Sequence, residues 1–138
     1  MTSQQLFRFI AKHKLAALAT ISPSGEPQAA VVGFAITAEL EIVFDTVKTS
    51  RKFQNLSANP RIAFVIGGED EITVQYEGEA EELRSAGDEK YFQTYFEKWP
   101  DGRERAKWPG IVHFKVRPEW IRYSDFNKDS FEISELKF

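Results

Sequence analysis

The sequence predicts a mainly β protein, with a six- or seven-stranded antiparallel sheet closing into a barrel and short helices on its flanks. Three observations carry that reading. Strand-like runs outnumber helical ones along the 138 residues. Most connections between them are too short for parallel crossovers. The segment ITVQYEGEAEE alternates apolar or small residues with polar ones, so one face is buried and the other wet. The length fits one domain over residues 1–138, large enough for a core without staples.

Taken in order, Thr2-Ser3-Gln4-Gln5 has the form of a capping box, and Leu6, Phe7, Phe9, Ile10 and Ala11 follow at helical spacing. Residues 15–22 read as a strand, Pro23-Ser24-Gly25 as a turn and residues 28–37 as a second strand, which makes a hairpin. EIVFDT (41–46) is strand-like, and residues 50–58 form a short helix stopped by Asn59-Pro60. RIAFVI (61–66) is a strand ended by Gly67-Gly68-Glu69-Asp70, and the alternating segment follows. Residues 88–99 place Tyr91, Phe92, Tyr95, Phe96 and Trp99 on one helical stripe, laid over the sheet and broken by Pro100. Beyond the charged loop PDGRERAKWP, residues 111–117 and 120–126 read as a last strand pair around Pro118.

Composition removes whole classes of chemistry. Without cysteine there are no disulfides, thiolate nucleophiles or thiolate metal sites. His13 and His113 alone cannot supply a three-imidazole metal site, and no His-Glu-x-x-His pattern exists. Such a chain binds something or borrows a cofactor that carries the hard step. The longest uncharged runs, 15–25 and 27–38, fall short of the ~20 residues that span a bilayer. Ala17-Leu18-Ala19 lies inside its apolar stretch rather than after it, against a cleaved signal. The expectation is a cytoplasmic protein with no membrane partner. A net charge of −3 and a pI near 5.5 give no global field for nucleic acid.

Any anion site must therefore be local, and one stretch qualifies. Between Asp45 and Glu69 lie four cations, Lys48, Arg51, Lys52 and Arg61, and no acid. Thr46, Thr49 and Ser50 add hydroxyls where a strand hands over to a helix. A helix N-terminus, hydroxyls and an Arg fork are the parts of a phosphate cage. The same residues also read as an N-cap beside a solvated face. The Glu77, Glu79, Glu81 and Glu82 series reads as solvated surface. His113 shares a strand face with Lys115 and Arg117, which points it toward solvent or an interface, and His13 reads as a partner of a helix dipole.

The order LATISPSGEPQAAVVGF, EIVFDTVKTSRKFQNLSANPRIAFVI, ITVQYEGEAEEL and FKVRPEWIRYSDF resembles the pyridoxamine 5′-phosphate oxidase-like family of FMN-binding split barrels, over nearly the whole chain. Its most specific block runs from Thr46 to Ile62. The resemblance implies an FMN-binding oxidoreductase with an unassigned small-molecule substrate. It places the FMN phosphate on Thr46, Ser50, Arg51 and Lys52, the residues that charge also picks out. It runs the flavin along Val31, Val32, Gly33, Phe44 and Asp45, and brings in Thr73 or Gln75. It also implies a homodimer, with Trp108 or residues 123–125 of the partner subunit closing each site.

Departures narrow this expectation. The family members that oxidise pyridoxamine phosphate carry a Lys on the second strand and an Arg-x-His near the C-terminus. Here the strand position is Ala35, no Arg or His follows Tyr123, and Tyr95 stands where an Arg is expected after Tyr91. FMN binding is expected and vitamin B6 oxidation is not. The alternatives are an F420-dependent reductase and a non-catalytic flavin- or anion-binding barrel.

Overall fold

A computed structural model describes residues 1–127, 129 and 131–138. Helix α1 (Ser3–Ala11) opens on the expected capping box, with Thr2 Oγ1 accepting from Gln5 N and Gln5 Oε1 accepting from Thr2 N. His13 Nδ1 lies 2.9 Å from the carbonyl of Phe9, beside the last turn, as the dipole argument expects. Strands β1 (Leu15–Ile21) and β2 (Pro27–Gly33) make the hairpin, with Gly25 at φ 89° in its turn. After β3 (Ala35–Ile36) come β4 (Ile42–Val47) and α2 (Arg51–Ala58), then β5 (Arg61–Gly67) and β6 (Ile72–Glu82). Helices α3 (Glu89–Lys98) and α4 (Gly102–Arg105) precede β7 (Ile111–Asp125) and β8 (Glu132–Lys137).

All pairings between these strands are antiparallel, in the order β2-β1-β5-β6-β7-β4-β3 with β8 also on β7. Strands β2 and β4 lie far apart in that order yet touch, so the sheet curls into a half-barrel. Its concave side holds the core, with Phe44 stacked on Phe114 at 5.5 Å and Phe64 edge-on to Tyr76. The buried Tyr76 hydroxyl is satisfied by the carbonyls of Leu40 (2.7 Å) and Val116 (3.1 Å).

Four elements differ from expectation, the first being α4, a short helix inside the stretch 100–109 that reads as a charged loop. The second strand divides at the fully buried Phe34, whose N–H leaves the ladder to bond Lys14 O. The expected pair at 111–117 and 120–126 is one strand, β7. Its first half pairs with β4, its second with β8, and β6 pairs with it from Phe114 to Asp125. Pro118 sits at that changeover beside a bulge opposite Glu77 and Gly78, which accommodates its missing N–H. A Cβ on Gly78 would stand 2.3 Å from Arg117 O, so only glycine fits there. Strand β8 carries Ile133 and Leu136 out of period-two step and gives no alternation signal in the sequence.

The aromatic stripe of α3 covers the convex side of β3 and β4. Ala35, Val43, Leu83, Tyr91 and Tyr95 are buried there, with Phe92, Phe96 and Trp99 packed around them. No helix among the described residues is long and apolar enough to cross a membrane.

Candidate functional site

Strand β4 and helix α2 build the cage at their junction. Ser50 is the N-cap of α2, and its Oγ accepts from Phe53 N at 3.2 Å. Thr46, buried on the concave side of β4, donates its hydroxyl to the same oxygen at 2.9 Å. With Ser50 Oγ accepting twice, its own hydrogen remains to be donated outward. The N–H groups of the first helical turn lack intrahelical acceptors and carry the positive end of the dipole.

Arg51 and Lys52 flank a groove of about 110 Å³ between α2 and the β1–β2 hairpin, lined also by Leu18, Thr20, Gln28 and Ala30. Among the described residues neither cation has a hydrogen bond or an ion pair. By contrast Arg105, Lys115, Arg117 and Arg122 all have carboxylate partners. Burial pushes the Lys52 ammonium below its ordinary pKa, since nothing nearby offsets its lost hydration. This corner is rich in donors and poor in acceptors, and an anion with several oxygens suits it chemically.

The other expected residues scatter. Val32 and Phe44 point into the core, while Val31 is 66% exposed on the convex face. Gly33 lets the Trp99 ring approach, since a Cβ there would lie 2.7 Å from it, and Trp99 Nε1 donates to Phe34 O. Asp45 faces the opposite side of β4 from Thr46, and its carboxylate accepts from Arg105 Nε at 2.8 Å. Thr73 and Gln75 lie on the convex face of β6, where Val31, Ala17, Val65 and Gln75 stand in one cross-strand row. Trp108 is 58% exposed, on a loop tied to the turn before α2 by Lys48 N donating to Gly110 O at 2.8 Å. Tyr123 and Asp125 are buried within their own chain.

His113 corrects the alternation argument, which set it toward solvent or an interface. It is 6% exposed, because α3 and α4 cover that face and the rings of Phe92, Tyr95 and Phe96 enclose it. Its Nε2 is the one buried side-chain polar atom without a partner among the described residues. Burial lowers its pKa, with Asp45, its register partner on β4, opposing and Arg105 reinforcing the shift.

Sequence reasoning misses Thr20, Gln28 and Asn55, which hold the hairpin against α2. The buried Asn55 donates to Thr20 Oγ1 and to Gln28 Oε1, each at 2.9 Å. Thr20 and Gln28 are direct cross-strand partners, so drawing the hairpin in register would have paired them. Nothing local connects either to Asn55.

Comparison with known proteins adds to this geometry. A heme-binding protein from Mycobacterium smegmatis superposes with TM-score 0.82 at 16% identity, over 99% of this chain and 58% of that one. A pyridoxamine 5′-phosphate oxidase-related, FMN-binding protein from Nostoc punctiforme gives TM-score 0.68 at 12% identity, over 99% and 92%. At these identities the likeness is one of fold. A desampylase from Haloferax volcanii is 30% identical over 80 residues, 54% of each chain. The chain thus spans about half the length of that curated relative. The pyridoxamine 5′-phosphate oxidase family model matches residues 2–125, from the capping box of α1 to the end of β7, and the chain belongs to that family.

Proposed function

We propose that the protein binds FMN, with its phosphate between Arg51, Lys52, Ser50 and Thr46, and serves as a flavin-dependent oxidoreductase for a small molecule. The observation that carries this reading is the pair of unpartnered cations at the N-terminus of α2, one of them partly desolvated. The donor set fits a phosphate monoester, which carries about −1.5 to −2 charges at pH 7. The groove has room for the phosphate, and the ring then extends along the sheet surface. When bound, the flavin supplies hydride or electron transfer. The chain's own residues hold the phosphate, orient the ring and exclude water from one side of it.

A homodimer completes this reading. Val31 and Val65 are 66% and 48% exposed on a convex face that also carries the exposed Leu15 and the small residues Ala17, Ala29 and Ala63. A second copy covering that face would bring its Thr73 and Gln75 toward the flavin, with Trp108 at the phosphate end. Absorbance of the purified protein, with an FMN titration, tests the assignment. A flavin band and saturable FMN binding are expected. A deazaflavin or Soret band, or no affinity for FMN, would overturn it.

A further inference from the structure

The side-chain amides of Gln28 and Asn55 meet at the groove where α2 lies against the hairpin, 27 residues apart in sequence. Asn55 is 3% exposed and uses both amide hydrogens, one on Thr20 Oγ1 and one on Gln28 Oε1. The oxygen of Gln28 is thereby turned toward Asn55. Its NH2, on the other branch of the same planar group, is turned away. Reversing Gln28 alone would set two NH2 groups against each other at 2.9 Å. That Gln28 NH2 has no partner among the described residues, and Gln28 lines the groove beside Arg51 and Lys52. Arg51, Lys52 and Gln28 therefore line one groove whose lining holds no carboxylate.

We infer that Gln28 is a phosphate-contacting residue and that Asn55 is the positioning residue that fixes which end of its amide faces the ligand. The inference rests on the groove being the FMN phosphate site and adds a neutral donor to it. Gln28 contributes through a hydrogen bond rather than charge, so its effect is confined to a ligand that brings oxygens into the groove. Its removal must be felt by FMN and not by riboflavin.

The experiment titrates FMN and riboflavin, by fluorescence quenching, against wild type, Gln28→Ala, Gln28→Glu, Asn55→Ala, the Gln28→Ala/Asn55→Ala double variant and Arg51→Ala. Gln28→Ala is expected to weaken FMN about five- to tenfold and leave riboflavin within about twofold. Gln28→Glu keeps the shape and still accepts from Asn55, but presents an anion. It should weaken FMN by ~30-fold or more. Once Gln28 is gone, removing Asn55 should add little for FMN, the coupling expected of a positioning residue. If Gln28→Ala and Gln28→Glu leave FMN binding unchanged while Arg51→Ala weakens it, this inference fails and the groove assignment stands. Equal losses for both ligands, with a lowered thermal midpoint, would make Gln28 a folding residue and refute the inference. If wild type does not prefer FMN to riboflavin, the groove assignment itself falls, and the inference with it.

Discussion

The Arg105 guanidinium closes on the Asp45 carboxylate at 2.8 Å, joining residues 60 apart in sequence on the convex side of β4. Arg105 also donates to the Tyr95 hydroxyl at 3.1 Å and to Asp101 at 2.9 Å, so one side chain ties α3 and α4 to the sheet. Both partners of the Asp45 pair are largely shielded, with side chains 21% and 14% exposed. Arg105→Ala leaves that carboxylate without its cation and should cost roughly 2–3 kcal/mol of stability. Urea unfolding measures the loss. Because Asp45 and Thr46 serve opposite faces, the FMN-to-riboflavin preference of the folded variant should not change. A shift in that preference would bring Asp45 back to the flavin site.

His113 sits behind the same pair and makes stability depend on pH. Its folded-state pKa is lowered chiefly by burial, so the folded state favours neutral imidazole more than the unfolded chain does. Below about pH 6.5 the unfolded chain takes up the proton first. The stabilising contribution is therefore complete above that pH and is lost as pH falls through the lowered folded value. His113→Phe should flatten the difference in unfolding free energy between pH 8 and pH 5.5. An unchanged difference would assign the effect to the carboxylates.

The phosphate cage gives the third prediction. Arg51→Ala should weaken FMN about thirty- to hundredfold and leave riboflavin, which has no phosphate, nearly untouched. A solvated cation at a helix start would instead change FMN affinity less than about twofold. Parallel titration of the two ligands separates these outcomes.

Locality decides how much of this was legible in the sequence. Thr46, Ser50, Arg51 and Lys52 lie within seven residues of one strand-to-helix junction, where cations and hydroxyls gather without an acid, a pattern that reads equally as an N-cap beside a solvated face until the family resemblance falls on the same residues. The alternation of β6 and the stripe of α3 are equally local, and both elements stand where they were expected. Periodicity could not tell which sheet surface the stripe covers. For that reason Lys115 and His113 read as wet, while α3 buries His113 and Lys115 pairs with Asp88 at 3.2 Å. Gln28 and Asn55 meet only through tertiary packing, and no spacing rule connects them.

That same helix argues against pyridoxamine 5′-phosphate as a substrate. Ala35, Tyr91 and Tyr95, the positions where the resemblance expects Lys, a substrate-facing Tyr and Arg, are buried together in one apolar cluster. Tyr91 spends its hydroxyl on Glu41, at 2.8 and 3.0 Å from its two oxygens. Two cations beside this cluster are already engaged, Arg105 with Asp45 and Asp101 and Lys115 with Asp88, so neither is a free partner for a second phosphate in place of the missing Lys and Arg. Turnover followed by peroxide release should give kcat/KM well below ~10⁴ M⁻¹s⁻¹, the low end for competent enzymes. A value at or above that figure would refute the assignment.

The last prediction concerns the convex face. Val31, Ala17 and Val65 form a cross-strand row that runs into Gln75, and two of the three are large enough to bury real area. A strand surface with exposed valines and flanking alanines is apolar, which suits a second copy of the same face related by a twofold axis. Every substitution there appears twice across such an interface. Val65→Glu should therefore set two carboxylates into apolar surroundings and separate the subunits at micromolar concentration. The side chain is 48% exposed in the single chain, so the fold itself should tolerate the change, with an unaltered far-UV circular dichroism spectrum. Light scattering is expected to give twice the 15.8 kDa chain mass for wild type and the chain mass for the variant. If partner residues such as Gln75 complete the flavin site, FMN affinity falls together with the dimer, and raising the variant's concentration restores both. A wild-type monomer that retains flavin, or a Val65→Glu protein that stays dimeric, would remove this face as the interface.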